Sequence, residues 1–554
     1  MGVPTGEPTW LGRADRPLAA WVHTPDSGDA AGVVVLVPSF GREQELAHRS
    51  FRRLARDLAL AGFAAVRFAW TGSSDSGDLA DDDAAADVWV DDLNAVLDEV
   101  STWTDAPVQV VGLRVGALVA GRALSRAPRP RVVSLLQWDP PAGGRIFLRQ
   151  ERALLMSLET RSTLPEGQHG GMGIIYTAAH AESLRGLTFE VPAADGLDVA
   201  VVGRDGIGLP RSVQKSVDAA GVRTWDVAGQ DAMLEAIVTE SAVPLGALAT
   251  VVDWAGEHRA PEASVSWERR PAVTRAVPGG RVVEEFVTVG PDALPGIVAR
   301  PEDAPRSALL LLAGSSEPMD GPSGMWSWAS RRLAVEEGTF SLRFDRSGVG
   351  DAADFDELTQ PFSFSRAMLQ DVADAVGYLT RASGRTPVAA GLCSGGYFLL
   401  MTIVAQQLAR VCALNVLSWA PEIEDVPPFA NEITSPEDLE VVEERNEHSL
   451  KRRLRTWAKT HMPYVVWEQL GSVFHFNVPG PLLTRASRQT EVVLAFSRLD
   501  WEAFRLQRGE EAVRRAQAAG GRLTTTLEFR MDHSLLDPLA RAAVLPILRD
   551  LVRD

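Results

Sequence analysis

Residues 391–395 read Gly-Leu-Cys-Ser-Gly, inside VAAGLCSGGYFLL, where a strand pattern passes into a helix pattern. Such a turn brings the helix so close to the strand that only glycine fits on either side of its apex. A thiol at the apex is placed for attack on a carbonyl carbon, provided a base takes its proton and an acid orients the base. Two late residues have the types required. Asp500 follows the strand pattern EVVLAF at 491–496, and His533 follows LTTTLEF at 523–529 in the loop RMDHSLLDP. His533 is the only histidine after His475. Asp532 and Glu502 are alternative acids. Ser394 is a rival nucleophile, but its own frame needs glycine at 392, where Leu stands. The reading without chemistry is a buried cysteine filling a tight turn.

The elements that must hold these residues are written twice in the chain. Residues 31–40, AGVVVLVPSF, and 307–316, SALLLLAGSS, are apolar runs ending in small residues. Each is followed by an Arg-rich helix pattern, at 51–62 and 330–338, and then a second strand pattern, at 63–77 and 340–352. An acidic amphipathic helix comes next, at 90–100 and 369–379, before a short strand into a glycine turn, at 108–120 and 388–400. One offset, 279 residues, relates Asp92 to Asp371 and Gly112 to Gly391. Equal offsets across helix, strand and turn predict two copies of one α/β fold, each a mostly parallel doubly wound sheet with buried strands. The expected boundaries are 1–254 and 276–554, joined by a polar linker over 255–275. A linker that short predicts domains packed together.

The turn G-x-C-x-G after a strand and before a helix resembles the nucleophile elbow of the α/β-hydrolase superfamily, with Cys in place of Ser. The resemblance spans most of the chain, and similar Cys elbows occur in dienelactone-hydrolase-like and thioesterase proteins. It implies the order nucleophile, acid, histidine, and so a triad of Cys393, Asp500 and His533. It further implies an oxyanion hole from the backbone N–H groups of Ser394 and Ser315, with Ser316 beside it. The loop DRSGVGD at 345–351 reads as a structural turn. The stretch 421–488 is the expected helical lid, with Trp457, Tyr464, Trp467, Phe474 and Phe476 as acyl-pocket walls. In the first half the matching elbow is Gly112-Leu-Arg114-Val-Gly116. Arginine cannot act as the nucleophile. Asp205 stands at the expected acid position and Asp231 near the histidine position, where no histidine occurs. Arg114 is expected to pair with Asp205 in a degenerate site. Both halves also resemble, over a short stretch, small hydrolases associated with exosortase systems.

Composition narrows the remaining options. A net charge of −18 without Lys/Arg clusters argues against nucleic acid or an anionic membrane as partner. No apolar run is long enough to span a bilayer. The first residues lack the pattern of a secretory leader, and with only Cys393 and Cys412 the expected compartment is a reducing cytoplasm. Basic residues are almost all Arg, the bias of GC-rich coding, which points to a bacterial source. No metal or cofactor motif is present. The expected function is acyl transfer through a Cys-linked intermediate, by a hydrolase, thioesterase or acyltransferase acting on a small-molecule or carrier-linked acyl group. The alternatives are a non-catalytic scaffold of two degenerate hydrolase folds, or an isomerase or lyase using the same pocket.

Overall fold

The computed structural model describes residues 6–553, apart from 157, 159–162, 236–240, 316, 353–363, 404–405, 421, 424–425, 427–458, 460 and 475–476. Its frame is two large sheets. The first is built, in chain order, from Glu7–Arg13, Arg16–His23, Val33–Val37, Ala64–Phe68, Val108–Leu113, Val132–Trp138, Asp198–Arg204 and Arg223–Val227. In space the fourth strand precedes the third and the others follow in sequence. The first two strands are antiparallel to their neighbours and the rest run parallel.

The second sheet repeats this order with one more strand at its start. The antiparallel strands Ala272–Val277, Gly280–Val289 and Leu294–Pro301 lead into the parallel set Thr339–Phe344, Ser307–Leu312, Val388–Leu392, Arg410–Leu414, Glu491–Phe496 and Leu523–Leu527. This is the strand order of α/β hydrolases, twice over. Every residue of Val33–Val37 and of Val388–Leu392 is buried. Strands covered by helices on both faces must be apolar throughout, and the runs seen in the sequence are these central strands.

The segment expected as a linker is largely absorbed into the fold. It holds the end of the helix Leu245–Glu257, a short strand Ala263–Ser264 paired with Asp29–Ala30, and the start of Ala272–Val277. The Trp10 N–H donates to the Arg270 carbonyl at 3.0 Å, so this stretch also lies along the first strand of the chain.

Charged groups join the halves. Glu284 of the second half is fully buried and accepts from Arg275 Nε and Arg331 Nε, each at 3.0 Å, and from Arg343 Nη2 at 2.8 Å. Burial alone would raise its pKa, but the three guanidiniums hold it at about 2. Asp75 of the first half accepts from Arg343 Nε at 2.9 Å and from the Ser327 hydroxyl at 2.6 Å. Asp351 of the second half accepts from Arg67 of the first at 2.5 Å. No helix among the described residues is long and apolar enough to cross a membrane.

Candidate active site

Cys393 sits between the strand Val388–Leu392 and the helix Ser394–Thr402 with φ 49° and ψ −113°. An L-residue in that region carries strain of about 1–3 kcal/mol. Its neighbours enforce the bend: a Cβ on Gly391 would lie 2.5 Å from the Gly395 carbonyl carbon, and one on Gly395 would lie 2.6 Å from the Ala313 oxygen. The Cys393 N–H donates to the Leu414 carbonyl at 2.8 Å, anchoring the turn to the next strand. Cys393 is half-buried, whereas the Ser394 hydroxyl is wholly buried and has no hydrogen-bond partner among the described residues. The cysteine, not the serine, is therefore the presented side chain.

His533 Nδ1 lies 2.7 Å from Asp500 Oδ1. Burial works against protonation of this imidazole. The Asp500 carboxylate and, after it, the Cys393 sulfur both favour the charged ring, and together they outweigh burial and hold its pKa well above the usual imidazole range. Asp500 lies in the first turn of the helix Arg498–Leu506, capped by Ser497. Ser497 accepts the Asp500 N–H at 3.2 Å and donates its hydroxyl to Asp500 Oδ2 at 2.5 Å, so both carboxylate oxygens are held. The two alternative acids are engaged elsewhere. Asp532 accepts the N–H groups of Asp537 at 2.7 Å and Ser534 at 3.2 Å within its own loop, and Glu502 faces Arg498 at 3.5 Å.

Two residues that the sequence reading did not single out hold this arrangement. Asn415, buried just past the strand Arg410–Leu414 with φ 49°, donates from Nδ2 to the carbonyls of Asp532 and His533, both at 2.9 Å. Its Oδ1 accepts the Ser497 N–H at 2.7 Å. One amide thus joins the elbow's neighbouring strand to the loops of the acid and the histidine. The second residue is Arg346, in the turn expected to be structural. Its Nη2 donates to the carbonyls of Ala313 at 3.2 Å, Gly314 at 3.3 Å and Ser315 at 3.2 Å. That fixes the loop after Ser307–Leu312 opposite the first N–H of the helix beginning at Ser394. Burial pushes the Arg346 guanidinium down to about 10, with Asp371 and Cys393 pulling the other way. Ser315 is half-buried in this loop, and Ser316 lies outside the described residues.

Of the expected pocket walls, Tyr464 and Trp467 are buried in the main core of the second half beside Trp419 and Phe504. They pack there as core residues. Trp457 and Phe476 lie outside the described residues, and Phe474 ends the helix Tyr464–Phe474. The other cysteine, Cys412, is enclosed in the sheet, and burial pushes its thiol up to about 12.

In the first half Arg114 occupies the apex with φ 54° and ψ −119°, nearly the backbone of Cys393. The expected pairing with Asp205 is not found. Arg114 donates from Nε to Glu43 at 2.8 Å, from Nη1 to the Asp139 carbonyl at 3.2 Å and from Nη2 to Gln150 at 3.0 Å. Asp139 stands where Asn415 does in the other half, with φ 49°, and its carboxylate accepts from Arg204 at 2.7 Å. Asp205 is exposed in a tight turn closed by a bridge between Arg204 and Gly208, and Asp231 is exposed at the start of the helix Gln230–Leu234. The helix after this strand begins only at Arg211, beyond Asp205, whereas the helix Arg498–Leu506 begins before Asp500 and carries it.

No protein-family model matches the chain, and no curated protein does. Among solved structures it is similar to a dienelactone hydrolase from Anabaena variabilis, at 14% identity and TM-score 0.32, over 51% of this chain and 97% of that one. TT1662 from Thermus thermophilus matches at 18% identity and TM-score 0.33, over 50% and 99%. A thioesterase domain from the curacin biosynthetic pathway matches at 12% and 0.30, over 45% and 98%. At such identities and scores these likenesses add nothing to the strand order and register on which the fold assignment rests.

Proposed function

We propose that the chain is an acyl-transfer enzyme whose second half carries the chemistry. The Cys393 thiolate attacks the carbonyl carbon of an ester, thioester or activated amide, while His533 holds the thiol's proton. The carbonyl π pair moves onto oxygen, which the backbone N–H groups of Ser394 and Ser315 receive. Collapse of this intermediate breaks the bond to the leaving group, and His533 protonates it. Water or another nucleophile then gives a proton to His533 and takes the acyl group, releasing the thiol. Asp500 keeps the ring oriented and stabilises its protonated form. The first half acts as a pseudoenzyme, completing an intramolecular pseudo-dimer. A reduced thiol is required throughout, which fits the cytoplasm.

The His533–Asp500 hydrogen bond at 2.7 Å, with the Cys393 sulfur acting on the same ring, carries this reading, since a thiol, an imidazole and a carboxylate are the components of nucleophilic acyl transfer. Turnover of a panel of p-nitrophenyl esters and acyl thioesters tests it. The wild-type chain hydrolyses or transfers at least one of them, and Cys393→Ala does not. Equal turnover by the two proteins defeats the reading.

A further inference from the structure

A cavity of about 610 Å³ lies between the halves. Its walls come from 72–81 and 173–176 of the first half and from the helices Met325–Glu337 and Ala540–Val552 of the second. None of Cys393, His533, Asp500 and Arg114 lines it. Three arginines do. Arg549 is ion-paired with Glu336. Arg332 and Arg541 face no carboxylate within ion-pair distance among the described residues. Their guanidiniums instead lie over the Trp328 ring, 5.0 and 5.6 Å from its centre.

The Nε–H of each is shut off from solvent and has no acceptor among the described residues. Arg541 gives one Nη2 hydrogen bond to the Ser323 carbonyl at 2.5 Å. Burial pushes the Arg541 pKa down, Asp78 opposes this, and Arg331 and Arg332 lower it further. Asp78 and Asp81 also line the cavity, but Arg331 already engages Asp78 at 3.4 Å. Both side chains are half-buried, and two adjacent guanidiniums that face no carboxylate on the wall of a roomy cavity fit an anion. Phe40, Leu79, Ile174 and Leu545 supply apolar wall beside several serines and His180, and the Tyr176 hydroxyl is buried without a partner among the described residues.

We propose that this cavity binds a small organic oxyanion on an apolar body, Arg332 and Arg541 taking the carboxylate or phosphate and Trp328 taking the body. Guanidinium forks match both anions, so the shared chemistry is the oxyanion. The site is distinct from the thiol and does not rest on the acyl-transfer reading.

The test titrates 1-naphthoate, 1-naphthyl phosphate and neutral 1-naphthalenemethanol into the full chain, by calorimetry and tryptophan quenching, before and after alkylation of Cys393. At least one anion should saturate a single site per chain, and the tighter of the two identifies the oxyanion. Its Kd should change less than about twofold on alkylation and rise about tenfold or more in Arg332→Gln and Arg541→Gln. The surface control Arg553→Gln should leave it unchanged. The Arg332 side chain gives no hydrogen bond to the protein among the described residues, so Arg332→Gln carries the test should Arg541→Gln misfold. Absence of saturable binding, equal binding of the neutral compound, full binding by Arg332→Gln, or loss on alkylation each overturns the proposal.

Discussion

At Cys393 and Arg114 the chain places two different side chains on one backbone conformation, with φ 49° and 54° and with the same flanking glycines. In both halves the apex N–H donates to the end of the neighbouring strand, to Leu414 at 2.8 Å and to Trp138 at 2.9 Å. What differs is the residue that follows that strand. Asn415 is neutral and gathers the acid and histidine loops through three hydrogen bonds. Asp139 is charged and is saturated by Arg114 and Arg204. The bent turn is thus a requirement of the strand-to-helix crossover, present also where its apex is an arginine. Reactivity depends on whether the loops beyond it deliver an imidazole and a carboxylate to the apex.

Exchanging the apex residues breaks this comparison most sharply. Cys393→Ala should lower turnover by about 10³-fold or more, because it removes the nucleophile itself. Arg114→Cys should add no activity, since the side chains at hand there are Glu43, Asp139 and Gln150, with no histidine among the partners described. It should instead destabilise the chain by about 3–5 kcal/mol in urea unfolding, by leaving Glu43 buried without its cation while Asp139 keeps only Arg204. Acquisition of a second reactive thiol with turnover at position 114 would show that the first half is not silent.

The acid comes next. Asp500→Asn should cut kcat by about 10²–10⁴-fold with little change in KM, having lost the orienting charge but not the shape. The pKa of His533 should fall with it, because Asp500 is the largest influence raising that pKa. The basic limb of the pH–rate profile should move to lower pH accordingly. An unmoved limb would assign the proton to another group.

Asn415→Ala sharpens the comparison further. It should reduce kcat by about 10–100-fold, the usual effect of a group that orients a reacting one. Stability should fall by about 1–3 kcal/mol as the Asp532 and His533 carbonyls lose a buried donor. Asp139→Asn in the first half should leave turnover unchanged. Equal kinetic effects from the two variants would mean that Asn415 acts through folding alone.

The smallest effect is on stability against pH. His533 has a raised pKa in the folded chain and an ordinary one, about 6.5, when unfolded. Its contribution is complete below about pH 6.5 and is lost as pH rises through the folded value, at most about 1.4 kcal/mol per pH unit. His533→Gln should flatten that slope in chemical denaturation curves. A slope unchanged by the substitution would mean that other groups set it.

The duplication and the elbow were legible because their signals are local. Glycine at 391 and 395 follows from a contact inside the turn, and the fully apolar runs follow from burial on both faces of a parallel sheet. Asp500 and His533 were singled out by the chain order that the resemblance implies, each past the end of a strand, and their side chains lie 2.7 Å apart. Asn415 was hidden, since its role exists only once loops 82, 117 and 118 residues away meet at one point. The partner of Arg114 was misplaced for the same reason: Glu43 lies 71 residues earlier, while Asp205 is turned outward. The strand Ala272–Val277 read as linker because its exposed, half-polar alternation resembles a solvated segment. Tyr464 and Trp467 read as pocket walls because aromatic residues serve core and pocket alike.

Mass spectrometry of the acyl-enzyme tests the central claim most directly. After brief exposure to an activated acyl thioester and acid quenching, the intact chain should carry a single acyl group, mapped to Cys393 and absent from Cys412. Cys393→Ala should carry none, and His533→Ala should acylate far more slowly. Turnover without a Cys393 adduct, or with the acyl group elsewhere, would contradict the account.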